Sequence, residues 1–297
     1  MLFGAFCMRG AGCILNDYAD RKIDKFVERT KTRPLASGEL TEKDAKKSLF
    51  LHLLGAVSTL PFLVDFTTQN YTCFWLAVAS LPLVAAYPYS KRYTNCPQVV
   101  LGATFSWGVF MGLAAVDPSN LFGNNLPIAI SAYFSCILWT LYYDTIYAFQ
   151  DVVDDRTMGV KSFALTLLDQ KNQENIFGQI NQNDTKLKHD NLSQAEISDK
   201  INQANKILRN IGISSSLLMS LAMHLAEFDP VLIGIWSVGS VGSVVKTTRT
   251  NWMVDPKVCW EAFNNEKRKG FLLVLLMMLG PTVLGDQGTD RRNDKSI

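Results

Sequence analysis

Residues 127–155 read PIAISAYFSCILWTLYYDTIYAFQDVVDD. From 127 to 148 the stretch carries a single formal charge, Asp144, and then it ends in Asp151, Asp154 and Asp155. An apolar run of that length matches the roughly 20 residues that cross a bilayer core. Nothing in it alternates with the period of a barrel strand, and a spanning segment must satisfy its own backbone hydrogen bonds, so it reads as a helix. Asp144, Tyr147, Asp151 and Asp155 follow helical spacing and bring carboxylates to one face where the span leaves the membrane.

Working outward, similar apolar runs cover about 47–64, 72–89, 99–116, 207–226, 231–248 and 270–285, with 1–15 reading as the lower part of another span. The loops between them sort by charge. Segments 16–46, 90–98, 149–206 and 246–269 carry essentially all the Lys and Arg, whereas 65–71, 117–126 and 227–230 carry none. Basic residues collect on the side where insertion begins, so this alternation supports a multi-pass topology and places residues 16–24 and 144–155 on the same membrane face. The whole-chain totals, 48% hydrophobic with a formal charge of +2 over 297 residues, do not decide the class; the segregation of charge does. The six cysteines form no CxxC pair and read as small buried hydrophobes. No nucleic-acid partner is expected.

The first of those acidic stretches is Asn16-Asp17-Tyr18-Ala19-Asp20-Arg21-Lys22-Ile23-Asp24. On a helix Asn16, Asp20 and Asp24 share a face at i, i+4 and i+8. Like charges so close repel and call for a cation. Oxygen ligands without His or Cys suit Mg²⁺, which commonly joins a few carboxylates to a substrate phosphate. Either stretch alone also reads as a solvated loop with local ion pairs to Arg21 and Lys22. Two of them on one face of a multi-pass protein favour the metal reading, with diphosphate as the third partner.

Arg33, Lys91, Arg92 and Lys161 lie in loops on the same face and are candidates to hold that diphosphate, with positive-inside loop charge as the alternative. Arg9 differs, being inside an apolar run seven residues before Asn16. An arginine at that depth is costly unless it snorkels or meets an anion; the functional reading gives it diphosphate or an aromatic carboxylate.

Assembled, these stretches resemble the UbiA superfamily of membrane prenyltransferases, and most closely its 4-hydroxybenzoate polyprenyltransferase branch. The resemblance rests on Met8-Arg9-Gly10-Ala11-Gly12-Cys13 leading into Asn16 to Asp24, then Thr32-Arg33-Pro34-Leu35-Ala36-Ser37-Gly38. It continues through Tyr87-Pro88 with Lys91-Arg92, Tyr143 to Ala148 with Asp151 and Asp155, Gly159-Val160-Lys161-Ser162, and Val254-Asp255-Pro256 with Cys259-Trp260. It implies an all-α integral-membrane bundle of nine helices around a lipid-accessible cavity, of which about eight are present and the first is missing. The whole chain is then one domain truncated at its amino terminus. By motif position Asn16, Asp20, Asp151 and Asp155 become the main Mg²⁺ ligands, with Asp17 and Asp24 supporting. Asp20, Asp151 and Tyr147 are the expected catalytic residues, and Arg9, Arg33, Lys91, Arg92, Lys161 and Asp144 the expected substrate-binding ones. Tyr147, Trp107 and Phe105 are candidates to line the cavity and steady a carbocation-like carbon through their ring faces, although ordinary helix packing is the commoner use of any one such ring. Ser106 stands where an Asn is usual and Phe149 where His is common; both bear on acceptor choice.

The implied reaction joins a polyprenyl diphosphate to an aromatic acceptor, 4-hydroxybenzoate in ubiquinone synthesis, in the mitochondrial inner membrane for a eukaryotic source. Three rivals stand beside it: a farnesyl or geranylgeranyl transferase acting on a phenolic polyketide, with the endoplasmic reticulum as compartment; a cation-binding transporter; and a non-catalytic truncated relative. Residues 169–206, rich in Gln, Asn, Asp and Lys, read as a flexible polar insertion that cannot bury a core.

Overall fold

The computed structural model describes residues 2–27, 29–64, 70–168, 194–249 and 256–284. Those residues form helices joined by turns. Helix α1 (Leu2–Asp20) is followed by the single turn α2 (Pro34–Ser37), α3 (Glu42–Val57) and a 3-10 turn at Leu60–Leu63. Then come α4 (Thr72–Tyr93), α5 (Pro97–Ser106), α6 (Gly108–Val116) and α7 (Leu126–Ala148). The short α8 (Val152–Thr157) and α9 (Phe163–Leu167) lead to three long helices, α10 (Gln194–Leu225), α11 (Pro230–Thr247) and α12 (Pro256–Leu284).

The helix opened on above, α7, is the axis of the bundle, packed against α10, α5 and α12. Two features let it do so. Ser135 and Ser215 each donate a hydroxyl hydrogen bond to the other's backbone carbonyl, at 2.7 and 2.9 Å, tying α7 to α10. On the opposite side a Cβ at Gly102 of α5 would lie 3.1 Å from the backbone Cα and O of Ile137, so α5 and α7 meet backbone to backbone. Small residues and interhelical hydrogen bonds are the means of helix association where lipid removes the hydrophobic drive. At the end of α7 nearest the acidic loops, Tyr142 and Ile146 are fully buried with Leu208, Val244 and Val152.

The outward surface is apolar: Trp75, Phe105, Phe134, Val238 and Phe271 are each more than half exposed. Large apolar side chains in that number are stable only against lipid or a partner. Four segments are long and apolar enough to cross a membrane, Thr72–Tyr93, Pro97–Val116, Leu126–Ala148 and Pro230–Thr247.

The remaining expected spans differ in detail. The run 47–64 is broken, because α3 stops at Val57 and resumes only as the 3-10 turn before residue 65. The run 99–116 is crossed by two helices meeting at Trp107. The runs 207–226 and 270–285 are the carboxyl-terminal parts of α10 and α12, whose earlier turns carry the charge. Of the stretch read as a flexible insertion, 194–206 are helical turns of α10 with Ala204 buried in the core, while 169–193 lie outside the described residues, as do Val254 and Asp255. One buried position per turn is enough to dock such a polar helix.

Candidate active site

Helix α1 ends at Asp20, so its acidic residues sit at a helix carboxyl terminus, where the macrodipole is unfavourable to negative charge. Two guanidiniums offset this. Arg21 donates to the Tyr18 carbonyl at 2.6 Å and Arg92, from the end of α4, donates to the Ala19 carbonyl at 2.7 Å. The expected continuous face from Asn16 to Asp24 is therefore interrupted: after Asp20 the chain runs in turns, with both Ile23 and Asp24 donating backbone N–H groups to the Asp20 carbonyl. Asp24 still returns to the group by way of Arg33, whose Nη1 reaches Asp17 at 2.9 Å and Asp24 at 3.1 Å. Burial pushes the Asp24 carboxyl above its ordinary value of 3.8, against the pull of Arg33.

The second acidic stretch likewise leaves its helix. Helix α7 stops at Ala148, and Asp151 begins the first turn of α8 by accepting the Asp155 backbone N–H at 2.8 Å. Its side chain meets Arg29, which sequence reasoning passed over. Arg29 Nε donates to both carboxylate oxygens at 2.9 and 3.0 Å, and Nη2 donates to Oδ2 as well. Burial disfavours charge on Arg29, but the hydrogen bond and charge of Asp151 outweigh it and hold the guanidinium pKa above its ordinary value. The same guanidinium stands 5.1 Å from the Tyr147 ring centre. The only available signal was its spacing of four residues before Arg33, lost among the other basic residues of a positive loop.

Asp20, 5% exposed, faces Lys91 at 3.4 Å and Arg92 at 3.8 Å. Lys91 in turn accepts, through its backbone carbonyl, the Lys161 N–H at 3.1 Å. Gly159, at φ 67°, makes the turn that brings Lys161 there, a conformation that glycine adopts without strain. One cavity of about 370 Å³ collects these groups: Asn16, Asp20, Asp24, Asp144, Asp151 and Asp155 on the acidic side, Arg29, Arg33, Lys91, Arg92 and Lys161 on the basic side, with Tyr87 and Tyr147 between them. The two acidic motifs thus meet. Asp17 is outside its lining, held by Arg33, and Arg9 is exposed on α1 and also outside it.

Among the described residues no three His, Cys, Asp or Glu side chains converge as a ready metal cage. The donor set still fits Mg²⁺, because this ion binds through one or two carboxylates and completes its shell from water and phosphate. Asn16 also lines this cavity, and its Oδ1 is buried without a hydrogen-bond partner.

A second cavity, about 560 Å³, lies alongside and is mostly apolar, walled by Phe105, Val109, Trp139, Tyr143 and Phe263. Phe263 packs 4.8 Å from Tyr147, centre to centre, so the two cavities share an aromatic boundary. Trp107 has a different place from the one expected: its indole N–H donates to the Leu76 carbonyl at 2.9 Å and its ring packs on Phe110, which joins α4 to the α5–α6 junction.

Residues 1–177 match the model of the UbiA prenyltransferase family. The chain belongs to that family. Over 162 residues it is 46% identical to the 4-hydroxybenzoate polyprenyltransferase, mitochondrial, of Dictyostelium discoideum, covering 54% of this chain and 33% of that relative. Over 164 residues it is 46% identical to the 4-hydroxybenzoate octaprenyltransferase of Ectopseudomonas mendocina, covering 55% and 52%. The chain therefore spans between about a third and a half of the length of these curated relatives. Among solved structures, a UbiA homolog from Aeropyrum pernix K1 superposes with a TM-score of 0.69 at 17% identity, covering 93% of this chain and 86% of that one. A digeranylgeranylglyceryl phosphate synthase structure gives 0.58 at 16%, covering 94% and 83%. At such identity the likeness concerns the fold: this chain has the all-α membrane fold of UbiA proteins, and it is an integral-membrane protein.

Proposed function

We propose that the chain transfers a polyprenyl group from polyprenyl diphosphate to 4-hydroxybenzoate, with Mg²⁺ as cofactor. The observation that carries this reading is the charged cavity, in which buried carboxylates and basic side chains are partnered with one another beside an aromatic-walled apolar space. A magnesium diphosphate is itself a cation joined to an anion, and it can exchange partners with such a set: carboxylates toward the metal, guanidinium and ammonium groups toward the phosphates. Asn16, Asp20, Asp151 and Asp155 would hold the ion, with Asp24 nearby. When bound, Mg²⁺ stabilises negative charge growing on the departing diphosphate.

Arg29, Arg33, Lys91, Arg92 and Lys161 orient the diphosphate by charge-assisted hydrogen bonds and leave its prenyl tail to the apolar side. In the reaction the allylic C–O bond breaks, its electron pair leaves with the diphosphate, a ring carbon of the acceptor bonds the allylic carbon, and the ring loses a proton. The ring faces of Tyr147 and its aromatic neighbours suit developing positive charge, and apolar walls keep water from it. The 4-hydroxybenzoate polyprenyltransferase names of the relatives support the acceptor, and the mitochondrial names among them support the mitochondrial inner membrane for a eukaryotic source.

Membranes carrying the chain, incubated with Mg²⁺, labelled prenyl diphosphates and phenolic acids, are expected to form prenylated 4-hydroxybenzoate. Asp20→Ala and Asp151→Ala should each lower the rate about 100-fold or more, as expected for losing electrostatic groups at a transferring phosphate. Product that is indifferent to both substitutions would falsify the two-motif site.

A further inference from the structure

Two charged side chains are buried where α7 and α12 cross, apart from the acidic motifs. Glu266 and Lys269 of α12 are 2% and 9% exposed and meet at 2.6 Å. They close on one indole of α7. Trp139 donates its ring N–H at 2.7 Å to Glu266 Oε2, the oxygen that also meets Lys269, and the Lys269 ammonium stands 5.4 Å from the Trp139 ring centre. The far edge of the ring fits against Gly270, where a Cβ would lie 2.7 Å from Trp139 Cη2. The indole is thus held by its N–H, its face and its edge, all from one helix.

Stability does not account for the pair. Taking two charges out of water costs about what their attraction returns, so apolar residues of similar volume hold a buried crossing as well or better. Glu266 Oε1 is in addition buried without a hydrogen-bond partner, which raises the cost. What such a pair supplies that apolar contact does not is direction, because the N–H bond and the ion pair form together in one register of the two helices only.

That register matters for what lies one and two turns along. Trp139, Tyr143 and Tyr147 recur at helical spacing on α7, and Phe263, Glu266 and Gly270 share a face of α12. Their rings form a continuous line: Trp139 to Tyr143 at 6.0 Å, Tyr143 to Phe263 at 5.8 Å and Phe263 to Tyr147 at 4.8 Å, centre to centre. Tyr147 ends the line under Arg29, the partner of Asp151. We infer that Glu266 and Lys269 are positioning residues: acting through the Trp139 indole, they fix the register of α12 on α7 and so set the Phe263 ring against Tyr147 at the border of the charged cavity. The consequence for rate rests on the prenyl-transfer reading. There the border is where positive charge develops, so a displaced ring costs transition-state stabilisation and leaves diphosphate binding alone.

Two double variants of the full chain, purified in detergent, separate position from stability and from chemistry. Glu266→Met with Lys269→Met removes the pair without stranding a charge, and its thermal midpoint is expected to equal or exceed that of the wild type. Its near-UV circular dichroism, to which packed rings contribute, should weaken, and kcat should fall about tenfold at unchanged KM for prenyl diphosphate. Glu266→Gln with Lys269→Met keeps an amide oxygen for the Trp139 N–H and is expected to keep the wild-type spectrum and kcat. A lower midpoint in the first variant would make the pair a stability element, equal loss of kcat in both would give Glu266 a direct part in the chemistry, and a wild-type spectrum and rate in the first would leave the pair without effect; each of these overturns the inference. If the wild type itself forms no product, the transferase reading fails, and the spectra and midpoints still decide the register.

Discussion

Arg29 shows how much a single contact decides. It clamps Asp151 through two nitrogens, so the second acidic motif is held in place before any ligand arrives, and Tyr147 lies under the same guanidinium. Lysine keeps the charge but not the planar fork. Arg29→Lys is accordingly expected to raise KM for prenyl diphosphate by about tenfold with a smaller effect on kcat, read from initial rates. Equal loss in both would point to a role in chemistry and not in positioning.

Between elements, two junctions set where the motifs stand. Gly102 lets α5 touch the α7 backbone at Ile137. Gly102→Val forces those helices apart and is expected to destabilise the fold by about 1–3 kcal/mol, the usual cost of overpacking, seen as a lower thermal midpoint in detergent. The α1–α3 junction is polar: Glu42 accepts from Arg21 Nε at 2.8 Å and from the Tyr18 hydroxyl at 3.2 Å. The Arg21 hydrogen bond, aided by Tyr18, holds the Glu42 carboxyl below its ordinary value of 4.5. A lowered folded pKa contributes stability that is present above 4.5 and lost as pH falls through the folded value. Amide exchange at residues 18–24, corrected for intrinsic rates, should therefore accelerate as pH drops below 4.5, and Glu42→Gln should remove that dependence.

For the molecule as a whole, the mutual pairing of acids and bases makes the charged cavity self-sufficient. Asp20, Asp24 and Asp151 each have a protein cation as partner, so folding does not await the metal. Removing Mg²⁺ with a chelator is expected to abolish transfer while leaving the helical signal and the thermal midpoint unchanged. A midpoint that falls with chelation would show that the ion is structural.

Helical membrane character was legible in the sequence because lipid imposes length and apolarity on local runs such as 127–148, and a one-sided basic bias follows from insertion itself. The shared membrane face of Asn16 to Asp24 and Asp144 to Asp155 was legible for the same reason. Where each helix stops was not. Asp24 and Asp151 lie beyond helix ends set by guanidinium caps and turn hydrogen bonds, and periodicity read through them carries no information about such partners. The pairing of Arg29 with Asp151 joins residues 122 positions apart, and the indole N–H that Trp139 of α7 donates to Glu266 of α12 joins residues 127 positions apart. The chain by itself determined that two acidic motifs and their counter-charges stand at one membrane surface. Only tertiary packing decided which charge neutralises which, since that depends on distances between helices and not on spacing along them.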